Sequence, residues 1–516
     1  MIRIDRKRNF LSGQDIRRLY YYVQALFFIL LCTYAGAAPP AGKHFDFNPA
    51  CQEAYQAITQ LRLSDGQKLL DAEKRRDPEN LIPAYLENYI DFFVLFFNED
   101  PTQYELRRKM LDKRIELMSE GPEDSPFNLF TRAVIHFQWA AIKIKFGSNW
   151  DAGWEFRRSF LQAREVQKKF PSFLPAQMLS GAMQVVAGTI PDGYKWLSGL
   201  MGIKGNIAGG MKLLDGALHS GDHWAVLYHE EAVFYYLYLT FYIENKHEEV
   251  FTFIHRNKMD VINNHLYTYL QANLALNDQQ AGVAEQTLRE RNMGENYLDM
   301  PVWDLEMGYA RLYHLEADAH VYLERFLTNF RGKFYVKDAL LKVSWSYYLQ
   351  GKDAEAARYR ELVLMRGAAE ADADKQAVKE AQRGRWPDKT LLKARLLSDG
   401  GYYGEALQLL SVHKAGEFGR PEEKCEYLYR LGRIYDGLGR KGEAVAAYEE
   451  TYRTGNRLRE YYAARAALQT GYIFEQRGDK AVALVWFQRC LDLPDHDYKN
   501  SLDQKAKAGV GRCRQL

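Results

Sequence analysis

Proline is scarce, 15 in 516 residues. Its ring breaks helix interiors and central strands, so its rarity leaves room for long uninterrupted helices. Excess charge is missing too: 69 Lys and Arg against 67 Asp and Glu leave a formal net charge of +2. Nucleic-acid binding needs a clustered basic surplus, which this chain lacks. Cysteine is rare, with five: Cys32, Cys51, Cys425, Cys490 and Cys513. None forms C-x-x-C or a Cys/His set with zinc spacing. Cys490 and Cys513 could pair across adjacent helices in an oxidising compartment; the plainer reading is that the cysteines fill the core as small apolar side chains.

Phosphate and catalytic signatures are equally absent. Glycines 199, 202, 205, 209 and 210 match neither G-x-x-x-x-G-K-[ST] nor G-x-G-x-x-G. They read as a turn, with Gly205 in the left-handed region and Asn206 as the next N-cap. His229-Glu230-Glu231 and His247-Glu248-Glu249 begin like H-E-x-x-H. The second histidine is replaced by Val233 and Phe251, and His255 sits two turns beyond His247, so both stretches read as solvated helix faces. There is no G-x-S-x-G. Glu370 and Asp374 fall in a charged stretch and read as solvated. No catalytic residue, cofactor or metal is expected.

The first residues read as a targeting segment. Arg6, Lys7, Arg8, Arg17 and Arg18 precede the apolar run from Leu19 to Thr33. Ala35-x-Ala37 fits a cut after Ala37, making residues 1–37 a cleaved leader. Residues 19–38 could instead span a bilayer as a retained anchor, which leaves membrane association through this segment open. Lipidation at Cys32 is disfavoured by Leu31 before it. Each reading places the mature chain outside a cytoplasm, in a periplasm or on an outer membrane.

Beyond a linker at 38–47, strand signals vanish and apolar residues recur at helical spacing. From Cys425, Leu428, Leu431, Gly432, Tyr435, Ala444 and Tyr448 occupy successive slots of a helix-turn-helix unit, with Gly439 in the turn. From Ala464 the slots recur 39 residues later as Gly471, Phe474, Gly478, Ala483 and Phe487. This is the tetratricopeptide pattern: small residues let two helices approach, and aromatics fill the space between stacked pairs. Weaker copies start at Lys337 (Ser344, Gly351, Ala356), Met300 (Trp303, Met307, Ala310, Ala319), His265 (Ala272, Ala275, Ala284) and Pro387 (Ala394, Gly401, Ala406). Ala54, Ala57, Leu70 and Pro78 fit a further unit. The expectation is an all-α fold, an α-solenoid of tetratricopeptide-like pairs. Its parts are N-terminal repeats at 48–147, an irregular helical region with a Gly-rich hairpin at 148–264, repeats at 265–410, and C-terminal repeats with a capping helix at 411–516. Residues 367–385 read as a solvated helix or connector.

Three stretches carry a family resemblance: WLSGLMGIKGNIAGGMKLLDGAL from Trp196, FYVKDALLKVSWSYYLQG from Phe334 and DKQAVKEAQRGRWPDKTLLKARLLSDGGYY from Asp374. Here the chain resembles the tetratricopeptide-repeat 39 and inclusion-body-clearance family, as a bacterial member. The resemblance implies a helical solenoid that acts through protein contacts, with a link to lipid and inclusion homeostasis. It supplies no catalytic residues.

Binding is expected on the concave face, where positions 2, 5, 9 and 12 of each unit's first helix lie together. This projection selects Tyr429, Arg433 and Asp436, then Arg465, Tyr472 and Glu475, and from earlier units Asp304, Arg311, Trp345, Tyr348 and Arg395. Arginines and aromatics anchor protein interfaces well. The leading expectation is therefore a non-enzymatic scaffold of the cell envelope with a protein or peptide partner. A surface glycan- or nutrient-binding helical protein is the alternative, since tyrosine is abundant at 35 residues and sugars stack on aromatic rings.

Overall fold

The computed structural model describes residues 42–189 and 202–514. The leader-like residues 1–37 and part of the Gly-rich hairpin lie outside them. Among the described residues the chain is all-α, the sole β contact being an isolated bridge between His44 and Asn80. Helices begin where the side chains provide caps. Asn48, Asp388 and Asn264 each accept from backbone N–H groups of the first turn. At the start of Pro421–Gly437, which begins with proline, the Arg420 N–H donates to the Glu423 carboxylate at 3.3 Å.

The helices come in pairs. Pro421–Gly437 packs on Lys441–Gly455, and Tyr462–Gln476 on Lys480–Leu491, with Lys499–Arg514 closing the end. Upstream, His265–Asn277 pairs with Ala281–Glu290, Val302–Tyr313 with Ala319–Asn329, and Val336–Leu349 with Asp353–Met365. In each later unit the small slot meets the large one. A Cβ on Gly432 would lie 2.5 Å from the Tyr448 ring, and one on Gly471 2.5 Å from Phe487. Ser344 fills the same slot and donates to the Ala356 carbonyl at 2.9 Å. In the unit read from Met300 the close contact falls on Gly308, one residue past Met307, with its missing Cβ 2.6 Å from Leu323.

Every one of these pairs turns through a residue at positive φ. Glycine does this at Gly147, Gly351, Gly401, Gly439 and Gly478, with φ of 74–85° at the last four. Leu61, Glu99, Asn245, Gln279 and Leu315 do the same at φ of 48–63°. The following N–H reaches back to the first helix: Arg440 to Tyr435 O at 2.9 Å, Gln280 to Ala275 O at 2.8 Å, Arg62 to Ala57 O at 2.8 Å. These bonds close the helix end and aim the second helix back along the first. Gln279, Leu315 and Gly351 fall at equal 36-residue steps, a period that glycine alone does not reveal.

Four of the turns also dock on distant units. Leu61 O accepts from Leu298 N at 2.8 Å, and Gln60 O from His265 N at 3.3 Å. The Glu99 carboxylate accepts from Lys333 and Phe334 N–H at 3.3 and 3.4 Å. Gly401 lies so close to Gln279 that a Cβ would stand 1.8 Å from its carbonyl oxygen, and Tyr403 donates to the Gln279 side chain at 2.7 Å. The units therefore touch across the molecule as well as along it, and one apolar cluster runs from Phe47 to Ala310.

That closure corrects two readings of charged residues as solvated. Glu231 is buried, and its carboxylate accepts from the hydroxyls of Tyr55 at 2.6 Å, Tyr89 at 3.0 Å and Tyr235 at 2.9 Å. Asp374 is buried as well; it accepts from the N–H groups of Tyr335, Lys337 and Asp338 at 2.8–3.1 Å, capping the helix that starts at Val336. It sits on helix Asp372–Gln382, which packs Ala377 and Ala381 inward instead of standing in solvent. In the Gly-rich region Asn206 caps Ile207–Leu218 as expected, accepting from Gly209 N at 3.0 Å. The left-handed residue there is Gly202, at φ +70°, and not Gly205. Gly205 is required for close approach, since a Cβ would lie 2.0 Å from Gly188 N. The four described cysteines are unpaired and buried, with Cys490 and Cys513 in one apolar cluster.

The turn and the contact can be separated by mutation. A Cβ on Gly439 meets nothing within 4 Å, so Gly439→Ala costs only the left-handed conformation, about 1–2 kcal/mol, and Gly439→Asn costs less. Gly432→Val drives into Tyr448 and costs about 1–3 kcal/mol with no relief from any backbone change. Urea unfolding should rank the midpoints wild type, Gly439→Asn, Gly439→Ala; equal midpoints for the two Gly439 variants would contradict the dihedral account.

Candidate functional site

The last two pairs and the terminal helix enclose a groove of about 900 Å³. Arg433 and Asp436 enter it from Pro421–Gly437, and Arg465, Tyr472 and Glu475 from Tyr462–Gln476. The facing wall comes from turns far upstream, with Glu244 and His247 between one pair and Asp278 in the next. Lys505 and Arg512 of the terminal helix complete the lining.

Most of the groove's charges are matched internally. His247 Nδ1 lies 2.6 Å from Asp278, and Arg512 holds Glu475 through two bonds of 2.7 and 2.8 Å. Asp436 binds Lys441, and Asp399 has Arg395 at 3.7 Å. Of the cations that line the groove, three have no carboxylate partner among the described residues: Arg433, Arg465 and Lys505. Arg465 Nε is also buried without a hydrogen bond. Burial and then the nearby Arg465 charge push the Lys505 ammonium below the usual lysine range. The groove therefore places three cations without an ion-pair partner beside the Tyr472 ring.

Five of the eleven projected residues meet here: Arg433, Asp436, Arg465, Tyr472 and Glu475. The others are occupied by their own chain. Asp304 binds Arg325, and Arg311 binds Glu285 at 2.8 Å and Asp318 at 2.5 Å. Trp345 is 4% exposed and covered by the Arg395 guanidinium, 4.9 Å above its ring. Tyr348 stacks on Trp386 at 4.5 Å and donates to the Pro387 carbonyl. Tyr429 is 3% exposed, packed among Tyr448, Tyr461 and Tyr462. Trp345 and Tyr348 are covered by the segment that follows their unit, whereas Asp304 and Arg311 are bonded within their own unit or to the one before it. Glu244, His247, Asp278 and Lys505 were not projected, because the upstream turns that supply three of them are brought in by packing over some 200 residues.

A second cavity of about 420 Å³ adjoins the groove and shares Leu276, Asn277 and Tyr313 with it. Aromatic rings dominate its wall, among them Phe96, Phe97, Tyr238, Tyr242, Tyr269 and Tyr309. Glu306 is 3% exposed there. Its Oε1 accepts from Asn273 Nδ2 at 3.0 Å, while Oε2 has no partner. Burial pushes its pKa up to about 8, against the lowering effect of the Asn273 bond. No group of three or more His, Cys, Asp or Glu side chains able to hold a metal occurs among the described residues, and no described helix is long and apolar enough to cross a membrane.

Paired helices, left-handed turns and stacked units define a tetratricopeptide-like helical-repeat protein. No protein-family model matches the chain, and no curated protein matches it. Among solved structures it is similar to the TPR domain of P58(IPK), with 12% identity over 80% of this chain and 96% of that one, at a TM-score of 0.21. Yeast Tom70 gives 12% identity over 82% and 97%, at 0.23. The APC/C hetero-tetramer Cut9-Hcn1 gives 11% over 91% and 99%, at 0.21. These superpositions are loose, and the fold description rests on the helix pairs themselves.

Glu306 makes stability depend on pH. Its folded pKa of about 8 lies above the ordinary 4.5, so between those values the folded chain keeps a proton that the unfolded chain releases. Its contribution to stability therefore falls as pH rises through that window and is level outside it. Glu306→Gln removes this dependence: the melting temperature of the variant, relative to wild type, should climb from pH 5 to pH 8. A constant difference across that range would show that Glu306 does not titrate this way.

Proposed function

We propose that this chain is a non-enzymatic scaffold whose C-terminal groove holds an acidic segment of a partner protein. The observation that carries the reading is the trio Arg433, Arg465 and Lys505, unmatched by carboxylates in a groove of about 900 Å³. Uncompensated cations in a concave site favour an anionic guest, and arginine offers a carboxylate two parallel bonds. Tyr472 beside them gives a partner an apolar face to pack on. The helical-repeat architecture agrees with this reading, since stacked pairs create extended concave surfaces. The leader-like residues 1–37 support a site of action in the cell envelope, in a periplasm or at an outer membrane, with residues 19–38 as the alternative tether. The stretches from Trp196, Phe334 and Asp374 support kinship with the tetratricopeptide-repeat 39 and inclusion-body-clearance family.

Fluorescence anisotropy with a labelled glutamate-rich peptide tests the groove. The native chain should bind it more tightly than a lysine-rich peptide of equal length, and binding should weaken with salt. Arg433→Glu with Arg465→Glu should reduce affinity by at least about tenfold, since each charge-assisted bond contributes about 1.5–3 kcal/mol. Equal binding of the two peptides, or an unaffected double variant with native helicity, would remove the basis of the proposal. Binding of neutral polysaccharides with no acidic peptide bound would favour a glycan-binding protein instead.

A further inference from the structure

The aromatic chamber plays no part in holding an acidic segment, and its own chemistry is of opposite sign. Its wall holds three carboxylates. Two have an ammonium of their own, seated in the same manner. Lys145 Nζ lies 2.9 Å from Glu99 Oε1, and 4.9 and 5.0 Å from the ring centres of Phe96 and Phe334. Lys342 Nζ lies 2.9 Å from both Asp338 oxygens and 4.9 Å from the ring centre of Tyr309. The chamber wall thus twice places an ammonium on an aromatic face and against a carboxylate.

Glu306 shares that wall with the rings of Tyr238, Tyr242, Tyr269 and Tyr309 and has no ammonium of its own. Its charge reaches the hydroxyls of Tyr238, Tyr242, Tyr269 and Tyr335, contributing to their raised pKa values after burial. Tyr242 donates at 3.0 Å to Asn273, which holds Glu306 Oε1 and leaves Oε2 unpartnered. Lys145 and Lys342 are already bound to Glu99 and Asp338, so neither is left to neutralise it.

We infer that the chamber binds an organic ammonium group, seated on the tyrosine faces with its charge against Glu306. Aromatic faces attract cations through the ring quadrupole, more strongly where water is excluded. A neutral apolar guest would leave the Glu306 carboxyl without a partner, and an anion would meet three carboxylates whose only neighbouring ammoniums are taken. A space of about 420 Å³ is the size of a small-molecule site and admits a short alkylamine. The ammonium can belong to a free amine, or to a lysine side chain entering from the groove, because Leu276, Asn277 and Tyr313 border both cavities.

Isothermal titration of the full chain with n-butylammonium at pH 8.5, where Glu306 is largely ionised, tests this. n-Butanol serves as the neutral isostere, and a blocked pentapeptide with one central lysine as the peptide arm. One saturable site for butylammonium is expected, with butanol at least about tenfold weaker and Glu306→Gln reducing butylammonium binding by at least about tenfold. Tighter binding of the lysine peptide assigns the ammonium to a protein partner; tighter binding of butylammonium assigns it to a free amine. Butanol binding as well as the amine, an unaffected Glu306→Gln, or no saturable heat up to about 10 mM of either amine would overturn the inference. The isosteric variant should melt no lower than wild type at this pH and should keep its affinity for the glutamate-rich peptide, so failure here is distinguishable from failure of the groove.

Discussion

A residue held at positive φ between two helices sets the geometry on which the molecule depends. The left-handed region is costly to any residue with a Cβ, of the order of 1 kcal/mol or more. Leu61, Glu99, Asn245, Gln279 and Leu315 nevertheless occupy it. All but Glu99 are held there by the bond the next residue makes back into the first helix, and Glu99 by the bonds its carboxylate makes to Lys333 and Phe334 N–H and to Lys145. Because the hairpin angle is set at the turn, the small residue of one helix arrives opposite the large residue of the next. Gly432 under Tyr448 and Gly471 under Phe487 are the clearest instances.

The same turns are contact points between remote units, and this decides where ligands can go. Stacked pairs in an open array would present every inner face to solvent. Here Arg395 covers Trp345, and Trp386 covers Tyr348. Concave surface survives at the C-terminal end, where the terminal helix contributes charge instead of a lid, and in the chamber next to it. Cations without an ion-pair partner line one cavity and a carboxylate oxygen without a partner lines the other, and the two proposed guests of opposite sign rest on that contrast.

The fold class and the C-terminal units were legible because their determinants are local. Gly439 and Tyr448 sit in fixed slots of one hairpin, Gly478 and Phe487 in the same slots of the next, and the buried Ala272, Ala275 and Ala284 in those of a third. Turns at Leu61, Gln279 and Leu315 were not legible, since leucine and glutamine do not announce a left-handed conformation imposed by packing. Glu231 and Asp374 looked solvated because their partners lie elsewhere. Tyr55 is 176 residues from Glu231, and the N–H groups that Asp374 receives are 36–39 residues before it. Half of the groove was readable from helical spacing within one unit. The other wall, from Glu244 to Asp278, depends on how units pack across the molecule, which no single-unit pattern encodes.

The bonds that Glu231 receives from Tyr55 and Tyr89, and the one that Leu61 receives from Leu298, join the first two helix pairs to segments 142 to some 240 residues later. On a ribosome those early pairs emerge long before their partners exist. Their tyrosine hydroxyls and the apolar face around Phe47 must wait, exposed, until residues near 300 have been made. A repeat array is usually free to zip from any point, because each unit needs only its neighbour. This chain has given up that freedom: loop closure across some 240 residues precedes completion of its largest core, so its folding should be slow for an all-helical protein and its nascent N-terminal half a natural client for chaperones.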